Sequence, residues 1–257
     1  MSSSAGRRGG QRTSGVRQRP PEPRSNTSEA IEWIKSFGIA VLLFFAIRTF
    51  VVQAFTIPSG SMENTLLVGD YLMANNAIFG AHIPFTELQT PAFRDPVHGD
   101  VVVFRPTYNE PVIDVVKRVI GEPGDTIEMR DRVVYRNGER LDEPYTEPTY
   151  LPDEPIQRYG ASGYDWHFAA LPADVDARNY APTRDSWGPL VVPEDNYLLL
   201  GDNRDQSLDS RFMGFIPRSV IRGKALFIYY SIDPYVSRPF PRFLTAVRWG
   251  RVGSIIR

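Results

Sequence analysis

Charge disappears from the chain over Ser36–Ile47, SFGIAVLLFFAI, and returns at Arg48 before TFVVQAF. Phe37–Ala54 spans 18 residues, near the lower limit for a helix that crosses a bilayer, for which about 20 are usual. Arg48 would sit toward one end, where its long stem carries the guanidinium to the headgroups. The run predicts a membrane-spanning anchor over 29–54. Two other readings fit the same pattern. One is a helix buried in a protein core; the other is a cleavable secretory signal, because Val52-Gln53-Ala54 offers small residues at suitable spacing. Chemically suggestive residues begin almost at once after Phe55, which favours the anchor.

From Phe55 onward the apolar runs shorten to strand length. Gly69-Asp70 precedes YLMANN, and His98-Gly99-Asp100 precedes VVVFRP. Val112–Ile120 is almost continuously apolar and β-branched. TIEMRD and RVVYRNGERL follow, with a hairpin signal at Asn137-Gly138. Asn196–Leu200 and Lys224–Ser231 read as two more strands. Residues 142–190, rich in Pro, Asp, Glu, Tyr and Trp, give no clear period. The pattern predicts a mainly β fold: an antiparallel core from 55–141 and 191–257, a smaller inserted subdomain at 142–190, and one N-terminal transmembrane helix. Phe243–Arg257 mixes apolar and basic residues, which suits an amphipathic surface helix or a helix that closes the fold.

Charge changes the picture at the N-terminus. Residues 1–28 hold Arg7, Arg8, Arg12, Arg17, Arg19 and Arg24 against the single acid Glu22, with almost no large apolar side chain. Such a segment cannot offset its own ordering entropy and is expected to be a disordered tail. A basic flank also orients a membrane span with that flank in the cytoplasm, leaving the rest of the chain outside. The net charge of −1 makes no case for a nucleic-acid partner. With no cysteine in the chain, a thiol nucleophile, a disulfide framework and a Cys-ligated metal are excluded. The histidines are only His82, His98 and His167. No metal constellation, phosphate-cradling glycine loop or dinucleotide fingerprint stands out, so no cofactor is expected.

Candidate chemistry lies in three places. Ile57-Pro58-Ser59-Gly60-Ser61-Met62 can form a turn that pushes the Ser61 hydroxyl outward, although Ser-Gly-Ser is also ordinary loop composition. A serine nucleophile needs an activating base. Lys117, within DVVKRVI, alternates with Val115 and Val119. If that face is buried, poor solvation lowers the lysine pKa from about 10.4 toward about 8; an edge-strand lysine facing solvent fits the same letters. Third, Gly201–Arg211, GDNRDQSLDSR, is dense in charge and hydrogen-bonding groups. It reads either as a surface charged loop or as a rigid ion-paired turn in which a serine orients the lysine.

Taken together and in order, PSGSM, GDVVVF, VVKRVIGEPGD and GDNRDQSLDSR after one apolar helix resemble bacterial type I signal peptidases, the leader peptidases. The resemblance covers roughly Val51–Leu141 and Leu190–Asp233. It implies a serine protease with Ser61 as nucleophile and Lys117 as general base. It also implies an oxyanion hole from the Ser61 amide and the Ser59 hydroxyl, and a Ser207 hydroxyl bonded to Lys117. Asp202 would pair with Arg118, and Asp209 with Arg211, bracing the site. The implied partners are translocated preproteins, cut after small residues at the first and third positions before the bond, and membrane lipid. Phe55, Ile57, Leu66 and Val116 are candidate walls of shallow pockets beside a strand, Gln53–Ile57, able to pair with an extended substrate. One departure is Asn64, where many members carry proline, a change expected to loosen the turn after Ser61. Two other readings fit the same residues: a self-cleaving protein of the SOS-repressor type, which shares the Ser–Lys chemistry, and a silent membrane-anchored peptide-binding β protein. Oligomeric state is not legible.

Overall fold

The computed structural model describes residues 26–81, 86, 88–106, 113–156, 164–237, 241 and 245–257. Most of the expected basic tail, residues 1–25, and His82 lie outside them. The chain divides into two compact units, one ending at Leu43 and the other beginning at Phe44.

Helix α1 covers Asn26–Phe50. It begins inside the expected tail and stops before Val52, where a strand starts, so the anchor pattern overran the helix by four residues at its C-terminal end. Its stretch Ala30–Arg48 is long and apolar enough to cross a membrane, and none of that stretch is buried by protein.

The larger sheet has seven antiparallel strands: β1 (Val52–Thr56), β2 (Asp70–Asn75), β3 (Val101–Phe104), β4 (Val115–Gly121), β9 (Asn196–Leu200), β10 (Ile216–Pro217) and β11 (Ile221–Ser231). Their order is β1-β2-β11-β3-β4-β9-β10, which leaves β1 at one edge. Strand β3 reads VVVF without alternation because both its faces are covered. Val101 and Val103 pack with Ile57, Met62, Leu72 and Val116, whereas Val102 and Phe104 pack with Val119, Leu199 and Ile221.

The smaller sheet is β7-β6-β5-β8, from β5 (Thr126–Arg130), β6 (Val133–Arg136), β7 (Glu139–Arg140) and β8 (Trp187–Val191). The β6–β7 hairpin turns at Asn137 (φ 53°) and Gly138 (φ 82°), the paired positive φ values that a two-residue hairpin requires. The smaller sheet thus starts at Thr126, ahead of the expected insertion 142–190. A hairpin pattern shows that strands pair, but not which sheet they join. Strand β8, read as part of an unassigned insertion, completes this sheet through Leu190 opposite Ile127. Residues 245–257 form no continuous helix. They make a 3₁₀ turn at Trp249–Arg251 and single bridges from Val247 to Ile232 and from Ile255 to Phe227. Gly253, at φ 86°, stops helical propagation there.

Candidate active site

Ser61 sits in a single 3₁₀ turn, Gly60–Met62, between β1 and β2. Met62 is almost fully buried in the core and holds the turn down. The leading amides of such a turn have no acceptor within it. Lys117 lies in β4 opposite Val102 of β3. Although 56 residues apart in sequence, the two side chains meet: Lys117 Nζ is 2.6 Å from Ser61 Oγ. A second Nζ–H bond goes to the Val116 carbonyl at 3.1 Å. Lys117 is 2% exposed and Ser61 7%. Burial pushes the lysine pKa down to about 8; Asp209 and Asp202 pull it back up in part, and Arg211 adds to the lowering. The amine is thus close to half neutral at mildly alkaline pH.

The loop after β9 closes the other side. Arg118 Nε and Nη2 donate to the two oxygens of Asp202 at 2.9 and 2.6 Å, and both residues are 1% exposed. Thr65 Oγ1 also donates to Asp202, and Arg118 Nη1 donates to the carbonyls of Gly99 and Arg257. Arg211 grips Asp209 at 2.9 and 3.0 Å. Burial works against the Asp209 charge, yet Arg211 and the Gly201 amide hold its carboxyl below the usual carboxylate range. The Asn203 amide donates to Ser61 O, tying the loop to the serine turn.

Other expectations meet the structure unevenly. Ser59 Oγ is 3.4 Å from Ser61 Oγ. Ser207 Oγ is buried with no hydrogen-bond partner of good geometry, so the expected bond to Lys117 is not formed. The lysine's bonds run instead to Ser61 and Val116, while the Ser207 hydroxyl helps hold the Asp209 carboxyl low. Phe55, Ile57 and Val116 line a cleft of about 480 Å³ that reaches from β1 to Ser59 and Ser61 and is bounded opposite by residues 113–116. Leu66 does not line it. A bond from its amide to Met62 O draws it into the core, where it is fully buried. Asn64 does not loosen the turn: it adopts φ 81°, closed to proline, and its side-chain Nδ2 donates to Tyr145 O at 3.1 Å. His98 Nδ1 lies 3.0 Å from Ile120 O, and buried His167 bonds Tyr180 at 2.6 Å with its pKa driven down by burial to about 3. Neither histidine bonds Ser61 or Lys117.

Gly201 was missed as a functional position. A Cβ there would press within 2.5 Å of Ser61 O and Ser207 Cβ. Gly201→Ala should therefore lower stability by about 1–3 kcal/mol through overpacking and reduce turnover by displacing the serine turn. Urea denaturation alongside peptide kinetics checks both; unchanged values in both would mean the loop has slack.

Residues 30–230 match the family model described as signal peptidase, peptidase S26. Signal peptidase I of Pseudomonas aeruginosa is 32% identical over 240 residues, covering 88% of this chain and 79% of the relative. Signal peptidase I of Rickettsia canadensis is 33% identical over 226 residues, covering 80% and 82%. A crystal structure of signal peptidase I from Enterococcus faecalis is 30% identical, with a TM-score of 0.33 over 51% of this chain and 97% of that one. The extent of the family match and of these alignments establishes that the chain belongs to the signal peptidase family, peptidase S26, and is a serine peptidase that removes signal peptides.

Proposed function

We propose that the chain is a membrane-anchored endopeptidase in which Ser61 is the nucleophile and Lys117 the general base, cutting preproteins after small residues at the first and third positions before the bond. The observation that carries this reading is the 2.6 Å approach of a buried, partly neutral amine to a serine hydroxyl. Neutral Lys117 takes the Ser61 proton as Oγ attacks the scissile carbonyl. The oxyanion forms beside the Ser61 amide and the Ser59 hydroxyl, the type of donor pair that stabilises developing charge. Lys117 then passes its proton to the leaving amine, and later takes one from the water that releases the acyl group. Ser207, within the same ion-paired loop, is the group assigned to orient Lys117 during turnover. The Asp202–Arg118 and Asp209–Arg211 pairs fix the frame.

Edge strand β1 leaves one row of backbone groups free to pair with an extended substrate. Phe55, Ile57 and Val116 narrow the adjoining cleft, which favours alanine over bulky side chains. Unburied apolar Ala30–Arg48 has the length of a span, about 28 Å at 1.5 Å per residue. The basic N-terminal flank favours a cytoplasmic N-terminus and an extracytoplasmic catalytic body. Exposed Phe227, Tyr229, Trp249, Val252 and Ile255 suit contact with lipid. A peptide carrying an Ala-x-Ala boundary should be cut after the second alanine, and phenylalanine at either alanine should lower kcat/KM at least about 10²-fold, the scale of a steric clash of about 3 kcal/mol. Mass spectrometry of the products reads the position; equal cutting of the phenylalanine peptides would refute the pocket assignment.

A further inference from the structure

Residues 143–151 belong to no strand, yet they are bonded to both sides of the site. The Tyr145 ring centroid lies 3.8 Å from the Arg118 guanidinium carbon. The Tyr145 carbonyl accepts the side-chain Nδ2 of Asn64 in the turn after Ser61. Its hydroxyl donates to Glu143 at 3.0 Å, and that carboxylate accepts Arg204 Nη2 at 2.5 Å. Arg204 Nε in turn donates to Gly201 O, and its own carbonyl accepts Arg211 Nη2. Further along, the Glu147 amide donates to Asp202 O, and Asp205 accepts the amides of Tyr150 and Leu151.

From these contacts we infer that Glu143–Leu151 is a strap that positions the Ser61–Lys117 pair, with Tyr145 as its central positioning residue. The inference rests on the Ser–Lys reading and deepens it. Arg118 is Lys117's neighbour in β4, and its partner Asp202 begins the loop that holds Ser61 O. An aromatic face over the guanidinium adds cation–π attraction and keeps water from the ion pair. Strand and loop then move as one body, and the distance between hydroxyl and amine stays fixed. Loosening that body costs rate more than affinity, because misplacement of about 1 Å can lower turnover about 10²-fold. Water admitted beside β4 would also solvate the Lys117 ammonium better and make the amine harder to deprotonate.

The test uses the full chain in detergent micelles with the Ala-x-Ala peptide. Tyr145→Leu should lower kcat about tenfold or more with KM within about twofold. It should also move the midpoint of the alkaline limb upward by about half a pH unit or more. Tyr145→Phe keeps the ring and should retain kcat within about threefold, with the midpoint unmoved. Glu143→Gln, which weakens the hold on Arg204, should lower kcat about threefold or more at constant KM, and it decides the matter if Tyr145→Leu does not fold. Normal kcat and midpoint in Tyr145→Leu, or in Glu143→Gln where that variant decides, would overturn the strap. Ser61→Ala and Lys117→Ala are run alongside. Activity surviving in those two overturns the Ser–Lys reading itself; silence there with normal behaviour in the strap variants overturns only the strap.

Discussion

Lys117→Ala should lower cleavage of the Ala-x-Ala peptide by about 10²–10⁴, the usual worth of a positioned general base, and Ser61→Ala should lower it by up to about 10⁶. In the unsubstituted protein, kcat should rise with pH through a midpoint near 8, because only the neutral amine accepts the serine proton. A profile flat from pH 6 to 10, with chemistry shown to be rate-limiting, would remove lysine from the mechanism. The same lowered pKa has a stability consequence of definite sign. Folded Lys117 binds its proton less tightly than the ordinary lysine value of 10.5. Between about 8 and 10.5 the unfolded chain holds more protons, so stability rises with pH across that window. Below pH 8 the burial penalty is complete, about 3 kcal/mol at about 1.4 kcal/mol per unit. Lys117→Met should thus be inactive yet more resistant to urea at pH 7 than the unsubstituted protein, with the advantage shrinking toward pH 10. A stability gain that does not depend on pH would mean that the amine's charge is not what burial penalises.

Asp202→Ala should destabilise the protein by about 3–5 kcal/mol, because it strands the Arg118 charge where water cannot reach it. The guanidinium is 1% exposed and loses both of its bonds to a carboxylate at once. What remains to it are the main-chain oxygens of Gly99 and Arg257 and the Thr65 hydroxyl, none of which replaces the two-pronged grip of the carboxylate. Thr65 would also lose the acceptor of its hydroxyl, in the turn just after Ser61. Urea midpoints read the stability loss, and residual activity at low denaturant should fall further than the folded fraction. Removing both charges together, as Arg118→Met with Asp202→Leu, should recover much of the stability and little of the activity, since buried pairs fix geometry more than they stabilise. Equal recovery of both would show that the pair has no part in aligning the dyad.

Much of the frame is local and therefore readable. The uncharged run at Ser36–Ile47 lies within one helix, and Asn137-Gly138 makes the turn that its letters demand. VVVF and YLLL form doubly covered strands, since each alternate residue faces a different cluster. Less was legible where a residue's role depends on remote neighbours. Leu66 and Phe55 are both apolar beside the serine turn, yet one is buried beneath the site and the other lines the cleft. The segment from 142 to 151 shows no period because it builds no strand or helix, and many of its contacts reach the active-site loop and the serine turn.

By itself, then, the order of residues determined the apolar helix, the strand inventory, the tight hairpin and the four spaced motifs that carry the family resemblance, since each depends on neighbours within a few positions. Only the tertiary structure decided that Lys117 reaches Ser61, that Arg118 finds Asp202 84 positions away, that Ser207 makes no bond to the lysine, and that Tyr145 covers the arginine. A hydrogen bond between distant strands, and the loss of solvent that lowers an amine's pKa, sum contributions from parts of the chain that no local pattern relates.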